Sequence, residues 1–151
     1  MTAYEKFQDL AYSRGLTVKE AKFVFYDGLI KGTTIGIRKT IDTQAEKADT
    51  LAEEISHSEL TVGNILDQTV PENRKQEHKA RLRAYRMRVG LDRIVEAIEM
   101  GCKNPYEASE YLEVSEKFFN EALKYYREKY GVAATVGEYT LIFEPSLDLI
   151  K

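Results

Sequence analysis

Cysteine occurs once, at position 102, and histidine twice, at 57 and 78, in a chain of 151 residues. A single cysteine allows no internal disulfide and no cysteine-based zinc cage. Two histidines exclude a three-histidine metal site within one chain, so any metal must lean on carboxylates, and a Ser-His or Cys-His nucleophile pair has only two bases to draw on. No apolar run approaches the roughly 18 residues that a membrane span needs. The N-terminal residues lack the apolar stretch of a signal peptide, and with the sparse cysteine this sets the expectation of a cytoplasmic protein. Gly28, Gly32 and Gly36 lie in strand and turn sequence and do not form a phosphate-binding loop. Repeats, low-complexity runs and linkers are absent.

What is present is the material of one soluble globular chain. Apolar residues make up 43% and charged residues 31% of the sequence, the balance of a folded protein rather than a disordered one. The net charge of −3 gives no bulk affinity for nucleic acid. Its distribution is uneven. Between Glu72 and Arg93 eight basic residues stand against three acidic ones, which reads as a solvated helix face or a surface for an acidic partner.

Capping signals divide the chain. Thr2 with Glu5 forms a capping box, and Tyr4, Phe7, Leu10 and Ala11 follow at helical spacing, predicting a helix over Tyr4 to Ser13 that Gly15 stops. Lys22–Tyr26 and the alternating run from Thr33 to Ile41, with Asp27-Gly28 as turn signal, predict a small sheet over 22–40. Thr43 with Glu46 opens a helix to about Leu60, and Gly63-Asn64 marks a break. Pro71 precedes a basic helix from Glu72 to Val89, ended by Gly90. Further helices are expected over Leu91 to Met100, after the Asn104-Pro105 start, and from the Ser115 cap to Tyr130. Glu138–Glu144 reads as one final strand, closed by Pro145.

The chemistry-bearing stretch is Leu51-Ala-Glu-Glu-Ile-Ser-His57. Glu53 and His57 are i and i+4, so they project from one helix face about a turn apart, a spacing that lets two side chains grip one ion. Glu54 is offset from Glu53 by about 100°. In an H-E-x-x-H zinc helix the middle glutamate takes a proton from the attacking water rather than binding the metal. Here the pattern is E-E-x-x-H.

With this helix in its order along the chain, the sequence resembles the ImmA/IrrE family of metallopeptidases, particularly its short phage and mobile-element members. The resemblance is carried by the N-terminal helix, the sheet ending in Thr34-Ile-Gly-Ile-Arg-Lys39, the helix with Glu53-Glu54 and His57, the stretch Thr61-Val-Gly-Asn-Ile-Leu-Asp-Gln68, and Asn73-Arg-Lys-Gln-Glu77-His-Lys-Ala80-Arg-Leu-Arg-Ala84-Tyr85. It implies an α+β protein. Residues 1–90 would be a zincin-like core with a small N-terminal sheet, and residues 91–151 a helical, helix-turn-helix-like segment packed on it with a final strand. It implies His57 and Glu77 as metal ligands, with Glu53 in the place of the first histidine, and Glu54 as catalytic base. The set of two carboxylates and one imidazole is harder than a His-His-Glu set. Zn2+ remains a fit because it accepts carboxylate oxygens, and Mn2+ or Fe2+ becomes more competitive. The strand over Thr34 to Arg38 takes the place of the edge strand that holds an extended substrate. The implied activity is cleavage of a helix-turn-helix type transcriptional repressor of a mobile element or phage, with no membrane partner.

Two alternatives stand beside it. One is a catalytically silent anti-repressor that binds the repressor without cutting it, Glu53 then simply bonding His57. The other is a DNA-associated regulator using the basic helix. Residues 104–115 carry the small residue, apolar turn and Ser cap of a helix-turn-helix, but from Asp92 to Lys129 six basic residues face nine acidic ones, which argues against direct nucleic-acid binding. His78 is expected at the surface and Cys102 as a bystander thiol.

Overall fold

The structure, a computed structural model, describes residues 1–60 and 71–151, with side chains of the second stretch from 74 onward. The chain is α+β and divides into two compact units, Met1–Ala84 and Tyr85–Lys151. Among the described residues no helix is long and apolar enough to cross a membrane. The expected break at Gly63-Asn64 and the stretch Thr61–Gln68 lie outside the described residues.

The first unit opens with α1 (Ala3–Ser13). Thr2 accepts from the Glu5 amide and the Glu5 carboxylate accepts from the Thr2 amide, each at 3.1 Å, which satisfies two orphan amides of the first turn. Three strands follow, β1 (Thr17–Ala21), β2 (Gly28–Lys31) and β3 (Thr34–Arg38). Their order is β1-β3-β2, with β1 parallel and β2 antiparallel to β3. Two expectations change here. Thr34–Arg38 is the central strand, so it offers no free edge; the edges are β1 and β2. Residues Lys22–Tyr26 are not a strand but belong to the connection from β1 to β2. The true strand, Thr17-Val-Lys-Glu-Ala21, lacks an apolar alternation because Glu20 turns its carboxylate to the helix side. There Lys47 Nζ meets it at 3.1 Å and the Tyr4 hydroxyl donates to it at 3.0 Å. Burial and this bond push the Tyr4 phenol pKa up.

Ile35 and Ile37 of β3 are fully buried on the face that meets α2 (Gln44–Leu60). The α2 residues Ala48, Leu51, Ala52 and Ile55 are fully buried as well, so this is the core of the unit. Thr43 caps α2 by accepting from the Glu46 amide at 3.1 Å. After it comes α3 (Pro71–Arg88), within which the boundary between the units falls rather than after residue 90.

The second unit holds α4 (Leu91–Glu99), α5 (Pro105–Leu112) and α6 (Glu116–Tyr130), then β4 (Ala133–Val136), β5 (Tyr139–Ile142) and β6 (Asp148–Ile150). Asn104 caps α5 through the Glu107 amide at 2.8 Å, with Pro105 in the first turn. Glu113, at φ +56°, turns the chain, and Ser115 caps α6 through the Phe118 amide at 3.2 Å. Ile94, Phe119, Tyr126 and Leu141 are among its fully or nearly fully buried side chains, and the Tyr126 hydroxyl donates to the Val89 carbonyl at 2.7 Å. The expected single terminal strand is instead the middle of an antiparallel sheet, β4-β5-β6. Its neighbours are four and three residues long, too short for period-2 alternation to stand out.

Candidate metal centre

The C-terminal half of α2 presents Glu53, Glu54 and His57, and α3 brings Glu77 to the same place. Helical geometry puts both i+3 and i+4 neighbours on one face, so His57 has two carboxylates within reach on its own helix. It takes Glu54. His57 Nδ1 lies 3.3 Å from Glu54 Oε2, and His57 Nε2 lies 3.1 Å from Glu77 Oε2. One carboxylate thus stands at each ring nitrogen. His57 and Glu54 are buried, at 5% and 7% exposure, whereas Glu77 is half-buried.

These neighbours govern the protonation of the ring. Burial works against the charged imidazole, but bonds to Glu54 and Glu77 and their negative charges outweigh it and raise His57 to about 10. The ring in this arrangement is an imidazolium donating from both nitrogens, a clamp between α2 and α3.

Glu53 Oε1 lies 3.5 Å from Nη2 of Arg81 of α3; Arg81 lies one turn beyond Glu77. Burial raises the Glu53 carboxyl to about 7, Arg81 opposes this, and the charges of Glu54 and Glu77 add to it. Further along α2, Glu59 is held by Arg14, the residue that follows α1, and by Arg83 of α3. Sequence reasoning missed Arg81 and Arg83 as partners of α2. For Arg81 the i, i+4 spacing from Glu77 was the available signal.

The sheet also touches the site. A Cβ built on Gly28, the first residue of β2, would lie 2.7 Å from Thr50 Cγ2, 3.1 Å from Glu54 Cγ and 3.3 Å from Glu54 Oε1. Only glycine lets β2 pass this close to α2, and Glu54 Oε1 is directed at the start of an edge strand. Ala80 and Ala84 are fully buried on α3, and His78 is exposed. Cys102 belongs to the second unit, where its thiol donates to the Glu107 carbonyl at 3.5 Å.

As the side chains stand, no group of three or more His, Cys, Asp or Glu among the described residues is arranged to hold an ion. Two donors are nonetheless spaced for it. Ligand atoms at about 2.0–2.2 Å from a tetrahedral zinc are roughly 3.3 Å apart, close to the His57 Nε2 to Glu77 Oε2 separation of 3.1 Å. Two of the expected donors thus stand at ligand spacing, and the third, Glu53, is paired with Arg81. A scan against protein-family models and a search of curated proteins each returned no match.

Proposed function

We propose that this chain is a metal-dependent endopeptidase with a zincin-like core of the ImmA/IrrE type, acting in the cytoplasm on a helix-turn-helix type repressor of a mobile element or phage. The observation that supports it is the gathering of Glu54, His57 and Glu77, from two helices, at a buried place that the first residue of edge strand β2 touches.

Glu53, His57 and Glu77 would hold the ion, which when bound polarises a peptide carbonyl and acidifies water. The chain's own groups do the rest. The backbone of β2 pairs with an extended substrate segment, taking the role that the sequence assigned to β3. Glu54, beside β2, accepts the proton of the attacking water and passes it to the leaving nitrogen. His57 keeps its orientation through the carboxylate at Nδ1, the usual arrangement for a ligating imidazole.

A second reading is the silent anti-repressor, favoured by the Glu53–Arg81 ion pair and by an imidazolium already satisfied at both nitrogens. Co-expression with a candidate repressor separates the two. Hydrolysis predicts specific fragments by mass spectrometry and a drop of about 10²–10⁴-fold in cleavage with Glu54→Gln. Derepression that persists undiminished in Glu54→Gln, with the repressor intact, means binding alone.

A further inference from the structure

Residues between β1 and β2 present an unusual surface. Val24 is 82% exposed, Phe25 91% and Tyr26 45%, three consecutive large apolar side chains standing in water. A contiguous exposed apolar group of this kind marks an interaction site more often than chance. The exposure is built in, because the segment is moored on both sides. On one side the Phe23 ring covers Gly36 so closely that a Cβ there would lie 2.6 Å from it. On the other, Arg38 Nε and Nη2 both donate to Asp27 Oδ1, at 3.1 and 2.7 Å, and the Arg38 amide donates to the Asp27 carbonyl at 2.7 Å. Between the two anchors Val24, Phe25 and Tyr26 have nowhere to go but outward.

The surroundings state what the surface would accept. The acids nearest to it are paired, Glu20 with Lys47, Asp27 with Arg38 and Glu54, at the start of β2, with His57. Lys19, Lys22, Lys31 and Lys39 are exposed and make no ion pair among the described residues. The segment runs directly into β2, whose outer edge takes no strand partner among the described residues. Apolar side chains, free ammonium groups and unpaired main-chain donors and acceptors thus lie side by side.

We propose that Val24, Phe25 and Tyr26, with the lysines around them and the edge of β2, form a docking surface for an extended, acidic protein segment that carries large apolar side chains. The main chain of that segment pairs along β2, its apolar side chains cover Phe25 and Val24, and its carboxylates meet Lys22 and Lys31. The free edge favours a peptide over a lipid surface or a single-stranded nucleic acid, neither of which uses strand hydrogen bonds. The surface is independent of whether the bound segment is cut.

The test is fluorescence anisotropy on the Glu54→Gln chain without added metal, so that hydrolysis plays no part in the result. The probe is a labelled short peptide alternating glutamate with phenylalanine and leucine. Saturable binding is expected, weakened roughly tenfold or more by Phe25→Ser and weakened in a salt-dependent way by Lys22→Glu with Lys31→Glu. Circular dichroism melts of these exposed-site variants check that the fold is intact. Three results overturn the proposal: no binding of the peptide, equal binding of a peptide with lysine in place of glutamate, or tighter binding of oligothymidine or phosphatidylserine vesicles than of the acidic peptide.

Discussion

Gly28→Ala adds one methyl group at the point where strand and helix meet, and the structure decides its sign. The Gly28 backbone is not in the left-handed region, so alanine brings no backbone strain. In open space the substitution would stabilise by about 0.4–1 kcal/mol through the unfolded chain. Here the new carbon lies 2.7 Å from Thr50 Cγ2 and 3.1 Å from Glu54 Cγ. Overpacking of this sort costs about 1–3 kcal/mol. The expected net effect is a loss of about 1–2 kcal/mol, and for a chain of this size each kcal/mol lowers Tm by about 2–4 °C. The closest contact can be removed separately. Thr50→Ser deletes Cγ2 but keeps the hydroxyl, which donates to the Glu46 carbonyl at 3.0 Å. The double variant Gly28→Ala/Thr50→Ser should recover part of the loss, with a coupling of about 0.5–3 kcal/mol in the double-mutant cycle. Urea unfolding followed by circular dichroism reads both quantities. A Gly28→Ala chain as stable as wild type, or strictly additive single changes, would refute the packing of β2 on α2 described above.

The ionisable groups set the pH response of the metal-free chain. His57 is held at about 10, above the roughly 6.5 of the unfolded ring, so its contribution is full below about pH 6.5 and disappears as pH rises through about 10. Glu53, raised to about 7, also binds its proton more tightly when folded, and stability falls as pH rises from about 4.5 through 7. Tm should therefore decline across this window and decline less in His57→Gln; a Tm that rises with pH would contradict both. Ser115→Ala removes the hydroxyl that caps α6 and should cost about 1 kcal/mol in urea unfolding, with no measurable change arguing against that cap. Lys47→Met takes the ammonium from the exposed Glu20 carboxylate, which keeps the Tyr4 hydroxyl, and should cost about 0.2–1 kcal/mol, partly restored by Glu20→Gln; an unchanged midpoint would mean the pair is not formed.

The helices were legible because their signals are local. Thr2, Thr43, Asn104 and Ser115 each accept an amide bond as caps, and such residues act within one turn whatever the rest of the chain does. The strands were less so. β1 carries an acid whose neutralising lysine is far along the sequence in α2, so its pattern makes sense only after folding. Strand order is a tertiary property, and nothing within Thr34–Arg38 says whether it has one neighbour or two. At the site, spacing placed Glu53 and His57 on one face with Glu54 offset by about 100°, but His57 pairs with its i−3 neighbour Glu54 and with Glu77 of α3, and Glu53 with Arg81 of α3. Helical spacing thus brought these side chains to one stretch of α2, while their pairing was left to long-range contacts.

That pairing makes one more expectation sharp. His57 Nε2 donates to Glu77 in the present arrangement, and a nitrogen that carries a proton cannot at the same time ligate an ion. Glu53, raised to about 7, also carries a proton in part of the population at neutral pH. Uptake of zinc or manganese by the metal-free chain near pH 7 must then expel about one proton or more per chain, and affinity must rise with pH over the range in which His57 remains protonated. Titration in a weakly buffered solution with a pH indicator measures the release, and isothermal calorimetry in buffers of different ionisation enthalpy counts it. His57→Gln should abolish it. Binding at this site without proton release would mean that His57 is neutral and that its two carboxylate contacts are not those of an imidazolium. Failure to bind either ion at any pH would leave α2 and α3 joined by a purely structural clamp and the chain as a binding protein.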